Sequence, residues 1–497
     1  MCGIFGYVGD ETDTGEMVLS ALRRLEYRGY DSWGVGVGVN GHIAVEKQPG
    51  KIGTSTIDLP LSGIGFGHTR WATHGGVTRA NAHPMVDASE SLAVIHNGII
   101  ENFRPLKERL LAAGYVFRSE TDSEVVVHLV ASLLGDNRTP EAVLDAVARA
   151  FRELRGLNAV ILLDQASRTL TAIKNVSPLV VGRGRDGIYI ASDALALAGH
   201  ADDVMYLNDL EVAQLSHRGL RMVSAVTGDA VAERWEAIPA DLGDVDLGGY
   251  QHFLEKEIFE QPRVIELVAR EQVDSVRQLA AMIRESYGTF LVGCGTASYA
   301  ALTGNYLFSR IARRHVNFVV GSEFAYQEHF LTDRSLVVAL SQSGETVDVI
   351  APVLAAKERG AKIAALVNVK GSTLDRIADF SLHLNAGPEQ SVLSTKAYSA
   401  KIAVLLLTAH ILNGSEHVGR DLLWRALDGV RQTLTPTFVD RVREAAQAVN
   451  DRTSMFVIGR GLSYPTALEA ALKIKEVSYI HAEGFAGGEL KHGVIAL

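Results

Sequence analysis

Two segments far apart in the chain share one local pattern. FLVGCGTASYAAL (290–302) and FVIGRGLSYPTAL (456–468) each run from an apolar stretch into Gly-x-Gly, a Ser-Tyr pair and a helical pattern. A buried parallel strand that turns directly into a crossover helix has this texture. The segments TFLVGCG, HVNFVVG, SLVVALS and KIAALVNV alternate with helical patterns in the same way, so the second half reads as α/β with parallel sheets. The repeat reads as two copies of one domain, the first over 285–425 and the second over 450–497. The second copy holds far less chain after its glycines than the first, and it is expected to be incomplete at Leu497.

The first half has a different texture. Residues 1–240 read as a sheet-rich domain carrying a few helices. VGVGVNGHIAV (35–45) alternates around Asn40-Gly41, a strong hairpin signal. LSALRRLEYRG (19–29) places Leu19, Leu22 and Leu25 on one helical face, with Gly29 as its expected close. TDSEVVVHLVASLLG (121–135) sets Thr121 and Glu124 in capping-box spacing and stops at a glycine. PADLGDVDLGGY (239–250), rich in Gly and Asp, reads as an interdomain linker, and 241–284 as linker plus helical connection.

Charge and cysteine usage narrow the function classes. A net charge of −10 argues against nucleic acid and against a basic membrane-binding face. Two cysteines, Cys2 and Cys294, cannot build a disulfide framework and fit a reducing, cytoplasmic setting. Residues 1–9 lack the basic and apolar regions of a signal peptide, and IAVLLLTAHIL (402–412) is too short to span a bilayer.

With so few cysteines, one at position 2 of MCGIFGYVG calls for a reason. Once Met1 is removed, Cys2 carries a thiol and a free α-amine. Such an amine titrates near about 7.7–8.0 and can serve the thiol as its general base. The plainer reading is a small hydrophobe that begins a strand. Acyl transfer from an amide also needs an oxyanion hole and a clamp for substrate charges. HTRWATHGG (68–76) supplies Arg70 for a carboxylate, beside Trp71, Thr73 and His74. IHNGIIENF (95–103) offers the Asn97 amide and an open Gly98 N–H, and ETDSE (120–124) places Asp122 where it can hold an ammonium. Singly these are a surface arginine, a hairpin Asn-Gly and a helix-cap aspartate; together with Cys2 they form a set. The spacing of His68, His74 and His83 matches no common zinc motif, so no metal is expected.

MCGIFGYVG, LEYRGYDS, GHTRWATHG, NAHP, HNGIIEN and SETDSE resemble the class II (N-terminal-nucleophile, or Ntn-hydrolase) glutamine amidotransferase domain. The resemblance implies an αββα glutaminase in which Cys2 attacks the glutamine side-chain amide and releases ammonia. Asn97 and Gly98 would form the oxyanion hole. Arg70, Thr73, His74 and Asp122 would hold glutamine, with Trp71 on a gating loop.

In the second half, SLVVALSQSGETVDVI (335–350) is a strand, a hydroxyl-rich turn and a helix. Ser341, Gln342, Ser343 and Thr346 can surround a phosphate at such a helix start, and Thr296 in VGCGTAS makes a similar turn. A third glycine for a dinucleotide and a Walker A lysine are both missing, so no cofactor is implied. CGTAS, SEF, SQSGET, NAGPE and LSTK resemble tandem sugar isomerase (SIS) domains; one departure is Ala297, where many members carry a serine. ALEAALKIKEVSYIHAEGFAGGELKHG is similar to the isomerase segment of the glucosamine-6-phosphate synthase family. That resemblance implies L-glutamine and fructose 6-phosphate as substrates and a homodimer. Glu476 would move a proton between sugar carbons, Lys473 would steady charge, and His492 would open the ring from across the dimer interface. The family's imine-forming lysine has no match in the chain. The competing readings are another class II amidotransferase, which lacks its diphosphate loop here, and a phosphosugar-sensing regulator, which would carry a DNA-binding helix-turn-helix and a basic face.

Overall fold

The computed structural model describes residues 2–135, 137–238 and 247–496. The chain divides into two compact units, Met1–Gly243 and Asp244–Leu497. Of the expected linker 239–250, residues 239–246 lie outside the described residues.

The first unit is built on two antiparallel sheets. One orders its strands Glu236–Ala237, Asp203–Tyr206, Val180–Arg183, Gly187–Ala191, Gly3–Gly9, Ile64–Arg70, Ser32–Val39 and His42–Pro49. The other runs Gly219–Ser224, Glu211–Ser216, Thr169–Lys174, Asn158–Asp164, Leu92–Gly98 and Met85–Val86. Strand alternation sorts the layers. In GIFGYVG, Ile4 and Val8 enter the core between the sheets with Ile95 and Ile161, while Phe5 and Tyr7 pack outward on Val18, Leu19 and Leu22. The outer face of the second sheet packs Val94, Val160 and Leu162 on the helices Glu124–Leu134 and Pro140–Glu153. The result is the expected αββα order. Asn40-Gly41 forms the expected hairpin turn, with φ of 48° and 85° at its two residues.

Two local expectations need correction. The first helix spans Thr14–Arg24 and is followed by a 3-10 turn, Glu26–Arg28. That turn buries Arg28 on the Asp193 carboxylate, and Gly29 is extended (φ −173°) rather than a left-handed cap. The second is the capping box. The helix Glu124–Leu134 begins two residues too late for it, because Ser123 is the cap and Glu124 stands at the first helical position. Its carboxylate therefore accepts the N–H groups of Arg118 and Ser119, each at 2.7 Å, instead of reaching back to Thr121. Gly135 ends the helix as expected, at φ 57°.

The second unit holds a five-stranded parallel sheet in the order Asn317–Val320, Gly288–Gly293, Ser335–Leu340, Lys362–Val367 and Phe380–His383. The helices Phe253–Arg270 and Val273–Glu285 pack into its core through Val264, Val268, Val276, Leu279 and Ile283. IAVLLLTAHIL lies in the helix Lys396–Leu412, whose Ala400, Val404, Leu405 and Leu407 join the same core. No helix among the described residues is long and apolar enough to cross a membrane. The repeat is borne out in outline: Ser454–Gly459 and His481–Ala486 pair in parallel, joined by the helix Ser463–Ser478. Both copies turn from strand to helix on a left-handed glycine, Gly295 at φ 52° and Gly461 at φ 59°.

Candidate functional site

In the first unit, Cys2 precedes a strand that pairs with Ile64–Arg70, Gly3 facing Thr69. The Thr69 Oγ1 accepts the Gly3 N–H at 3.0 Å. A Cβ at Gly3 would stand 2.6 Å from that oxygen and 2.7 Å from Leu25 Cβ, so the residue after the cysteine must be glycine. This pairing brings the Cys2 Sγ to the Trp71 backbone, whose N–H it accepts at 3.1 Å. Burial pushes the thiol above its ordinary range, and the Trp71 amide and the Arg70 charge pull it partly back.

A small cleft brings together Cys2, Arg70, Trp71, Thr73, His74, Gly98 and Asp122. Gly98 ends the strand Leu92–Gly98 at φ 128°, where a Cβ would lie 2.2 Å from the Leu157 carbonyl oxygen. Asp122 accepts the Ile100 N–H at 2.7 Å, which fixes the turn after Gly98. The Arg70 guanidinium donates to the carbonyls of His74, Gly75 and Gly76, closing the 70–76 loop over its own base. Asn81 ties that loop down, donating to the Gly76 carbonyl at 3.0 Å and to Glu120 at 2.9 Å. Trp71 is 41% exposed, with its ring edge-on to Tyr30 at 5.3 Å.

Asn97 is not among the residues that line the cleft, but it contacts Cys2 directly: its Nδ2 donates to the Cys2 carbonyl at 2.9 Å, and its Oδ1 lies 3.0 Å from His68 Nε2. The same His68 nitrogen lies 3.0 Å from the His96 carbonyl oxygen. Burial lowers His68 to about 3, so the ring is neutral.

Sequence reasoning gave no catalytic role to His83, His96, Thr121 and Ser123, which also line the cleft. His96 is held by Ser123 Oγ at 2.8 Å and Asn158 Oδ1 at 2.9 Å. His83 is buried with no hydrogen-bond partner on either ring nitrogen among the described residues. Asp31 was likewise not singled out; it accepts the Ala72 N–H at 2.8 Å and so anchors the loop beyond Trp71. The motifs NAHP and LEYRGYDS contain His83 and Asp31, but their partners lie far off in sequence. Among the described residues, no group of three or more His, Cys, Asp or Glu can hold a metal.

In the second unit, the VGCGTAS and SQSGET turns follow the neighbouring parallel strands Gly288–Gly293 and Ser335–Leu340, at the carboxyl edge where α/β sheets bind ligands. Ser341 Oγ lies 3.0 Å from Thr346 Oγ1 and accepts the Gly344 N–H at 3.0 Å. Ser343 Oγ accepts the Glu345 N–H at 3.1 Å, and the Gln342 carbonyl accepts the Asn368 N–H at 3.0 Å. The helix Val347–Glu358 starts directly after Thr346, so its first amides open onto this turn.

Thr296 belongs to a second cluster. Its Oγ1 accepts from Lys473 Nζ at 2.8 Å and donates to Glu469 Oε1 at 3.1 Å. Lys473 also pairs with Glu476 at 2.7 Å. Glu469 is a residue that sequence reasoning missed; burial raises its carboxyl, with Lys473 opposing. Lys401 was also missed. It is fully buried, without a hydrogen-bond partner among the described residues, and burial lowers it to about 8 against the nearby carboxylates of Glu389 and Glu469. His492 lies exposed after the turn Glu489–Lys491, and no hydrogen bond or ion pair among the described residues joins it to Lys473 or Glu476.

Comparison with known proteins gives a consistent picture. A glutamine amidotransferase domain model matches residues 68–199, and a SIS domain model matches 282–411 and 449–497. The glutamine–fructose-6-phosphate aminotransferase (isomerizing) of Pyrococcus horikoshii is 40% identical over 512 residues, covering 100% of this chain and 84% of the relative. That of Thermococcus kodakarensis is 41% identical over 510 residues, with the same coverage of 100% and 84%. Among solved structures, the C-terminal domain of glucosamine-fructose-6-phosphate aminotransferase from Francisella tularensis is 30% identical, covering 50% of this chain and 73% of that one, with a TM-score of 0.46.

Proposed function

The chain belongs to the glutamine–fructose-6-phosphate aminotransferase (isomerizing) family, and on that premise we propose that it moves the amide nitrogen of L-glutamine to D-fructose 6-phosphate. The products are D-glucosamine 6-phosphate and L-glutamate. The observation that carries the reading is the single cleft that gathers Cys2 with Arg70, Gly98 and Asp122.

In the glutaminase half, the Cys2 thiol attacks the side-chain carbonyl of glutamine. Because burial keeps that thiol protonated, the step needs a base, and the Cys2 α-amine supplies it once Met1 is gone. The Gly98 N–H and the Asn97 amide stabilise the oxyanion. Collapse breaks the C–N bond and releases ammonia; water then cleaves the thioester to give glutamate and free thiol. Arg70 pairs with the α-carboxylate, Asp122 with the α-ammonium, and Thr73 and His74 complete the clamp under the Trp71 loop.

In the synthase half, Ser341, Gln342, Ser343 and Thr346 surround the sugar phosphate, with Thr296, hydrogen-bonded to Lys473, adding a contact from the neighbouring turn. Glu476 carries the proton between C1 and C2, while Lys473, held beside it, steadies the charge that develops. His492 opens the sugar ring from the other subunit of a homodimer, a role supported by its exposure away from Lys473 and Glu476. Two free cysteines suit the reducing cytoplasm in which such sugar phosphates are made.

The test is a labelling experiment. Amide-15N glutamine and fructose 6-phosphate should give 15N-glucosamine 6-phosphate, and Cys2→Ala should abolish the transfer. Label transfer that survives Cys2→Ala would overturn the reading.

A further inference from the structure

An asparagine amide can sit in either of two orientations related by a half-turn, and only one of them places its NH2 toward Cys2. Two backbone carbonyls decide between them. The Cys2 carbonyl, 2.9 Å from Nδ2, only accepts hydrogen bonds, so the amide nitrogen must face it. On the far side, His68 Nε2 lies 3.0 Å from both the His96 carbonyl and Asn97 Oδ1. The His96 carbonyl also only accepts, so that ring nitrogen must carry the hydrogen. We propose that His68 is the positioning residue of the oxyanion hole: its Nε2–H, locked by the His96 carbonyl, holds the Asn97 oxygen and thereby turns the Asn97 NH2 toward the nucleophile. This inference rests on the proposed roles of Cys2 as the nucleophile and of Asn97 as an oxyanion donor.

The surroundings of the ring support the assignment. His68 Nδ1 is buried and has no partner among the described residues, so a proton there would be stranded; the bare nitrogen is the favourable form. The His83 ring packs on the His68 ring at a centroid distance of 4.1 Å. Flipping the Asn97 amide would set N–H against N–H at His68 and oxygen against oxygen at Cys2. Both contacts are repulsive, so the flipped amide is excluded as long as His68 donates. One amide hydrogen goes to the Cys2 carbonyl, and the second remains for a developing oxyanion. Without the imidazole donor, only the Cys2 carbonyl orients the amide, and the preorganisation that makes such donors effective is weakened.

The measurement is ammonia release from glutamine by the full chain carrying His68→Leu, His68→Gln or His68→Asn. Gln reaches the position of Nε2 and can still donate; Asn is as polar but stops short. The kcat should fall roughly tenfold or more in the Leu and Asn variants with KM changed less than about twofold, and Gln should restore most of it. In an Asn97→Ala background, replacing His68 should cause no further loss, since there is no amide left to orient. Equal losses in the Gln and Asn variants, an undiminished loss in the Asn97→Ala background, or wild-type kcat throughout would overturn the proposal. If His68→Leu fails to fold, the comparison of Gln with Asn decides. Cys2→Ala separates the two levels: ammonia release that survives it overturns the nucleophile itself, whereas its loss beside normal His68 variants overturns the positioning role alone.

Discussion

The Trp71 backbone N–H donates to the Cys2 sulfur over 3.1 Å, so the 70–76 loop and the proposed nucleophile are in direct contact. Burial outweighs this contact and holds the thiol above its ordinary range. Alkylation of Cys2 in protein that retains Met1 should therefore have its pH midpoint above the value of about 8.5 for a free cysteine. A midpoint at or below that value, followed by mass spectrometry of the N-terminal peptide, would count against a desolvated thiol.

Gly98 is the second fixed point of the same cleft. Replacing it with alanine forces a Cβ to within 2.2 Å of the Leu157 oxygen in a left-handed conformation. Gly98→Ala should destabilise the first unit by about 1–3 kcal/mol and lower kcat for glutamine hydrolysis more than it raises KM. Thermal melts and steady-state ammonia release check both. Unchanged stability together with unchanged kcat would show that the strand end relaxes freely.

The SQSGET turn predicts a separation of the two activities. Ser343→Ala with Thr346→Ala removes two hydroxyls at the start of the helix Val347–Glu358. Each is worth about 0.5–1.5 kcal/mol to a neutral acceptor and more to a charged one. Affinity for fructose 6-phosphate should fall at least tenfold while ammonia release from glutamine persists. Calorimetric titration with the sugar phosphate reads this directly, and unchanged binding would remove the turn from the site.

Lys401 gives a pH prediction. Burial lowers its ammonium to about 8 in the folded protein, whereas an unfolded lysine titrates near about 10.4. Between those values the unfolded chain binds more protons, so stability rises with pH across that window and the full penalty, about 3 kcal/mol, applies below it. Lys401→Met should raise stability at pH 7 and abolish the rise toward pH 10. Denaturant melts at the two pH values check the sign. A Met variant less stable at pH 7, beside a flat wild-type profile, would mean that Glu389 and Glu469 compensate the buried charge.

How legible these features were depends on the distance over which each is decided. The αββα layering is written in strict two-residue alternation, as in Ile4 and Val8 against Phe5 and Tyr7, so the sequence carries it. The parallel sheet is carried the same way, by continuous apolar runs ending in Gly-x-Gly. Cys2, Arg70, His74, Gly98 and Asp122 were legible because their residue types match the demands of amide chemistry, and the fold brings them to one cleft. Glu124 was misread because helix onset moved by two residues, which no local pattern fixes. Glu469 and Lys401 look like ordinary helix residues in sequence; only the packing of helices Thr296–Leu307, Lys396–Leu412 and Ser463–Ser478 makes them buried charges. His68 was legible only as a poor metal ligand, because its work depends on Asn97, 29 residues away.

The most direct test of Cys2 as the amide-cleaving nucleophile is an acid quench during turnover, followed by mass spectrometry of the N-terminal peptide. A γ-glutamyl thioester on Cys2, formed at the rate of ammonia release and absent in Cys2→Ala, is the expected result. Ammonia release at the wild-type rate from Cys2→Ala, or a glutamyl adduct on another residue, would contradict it.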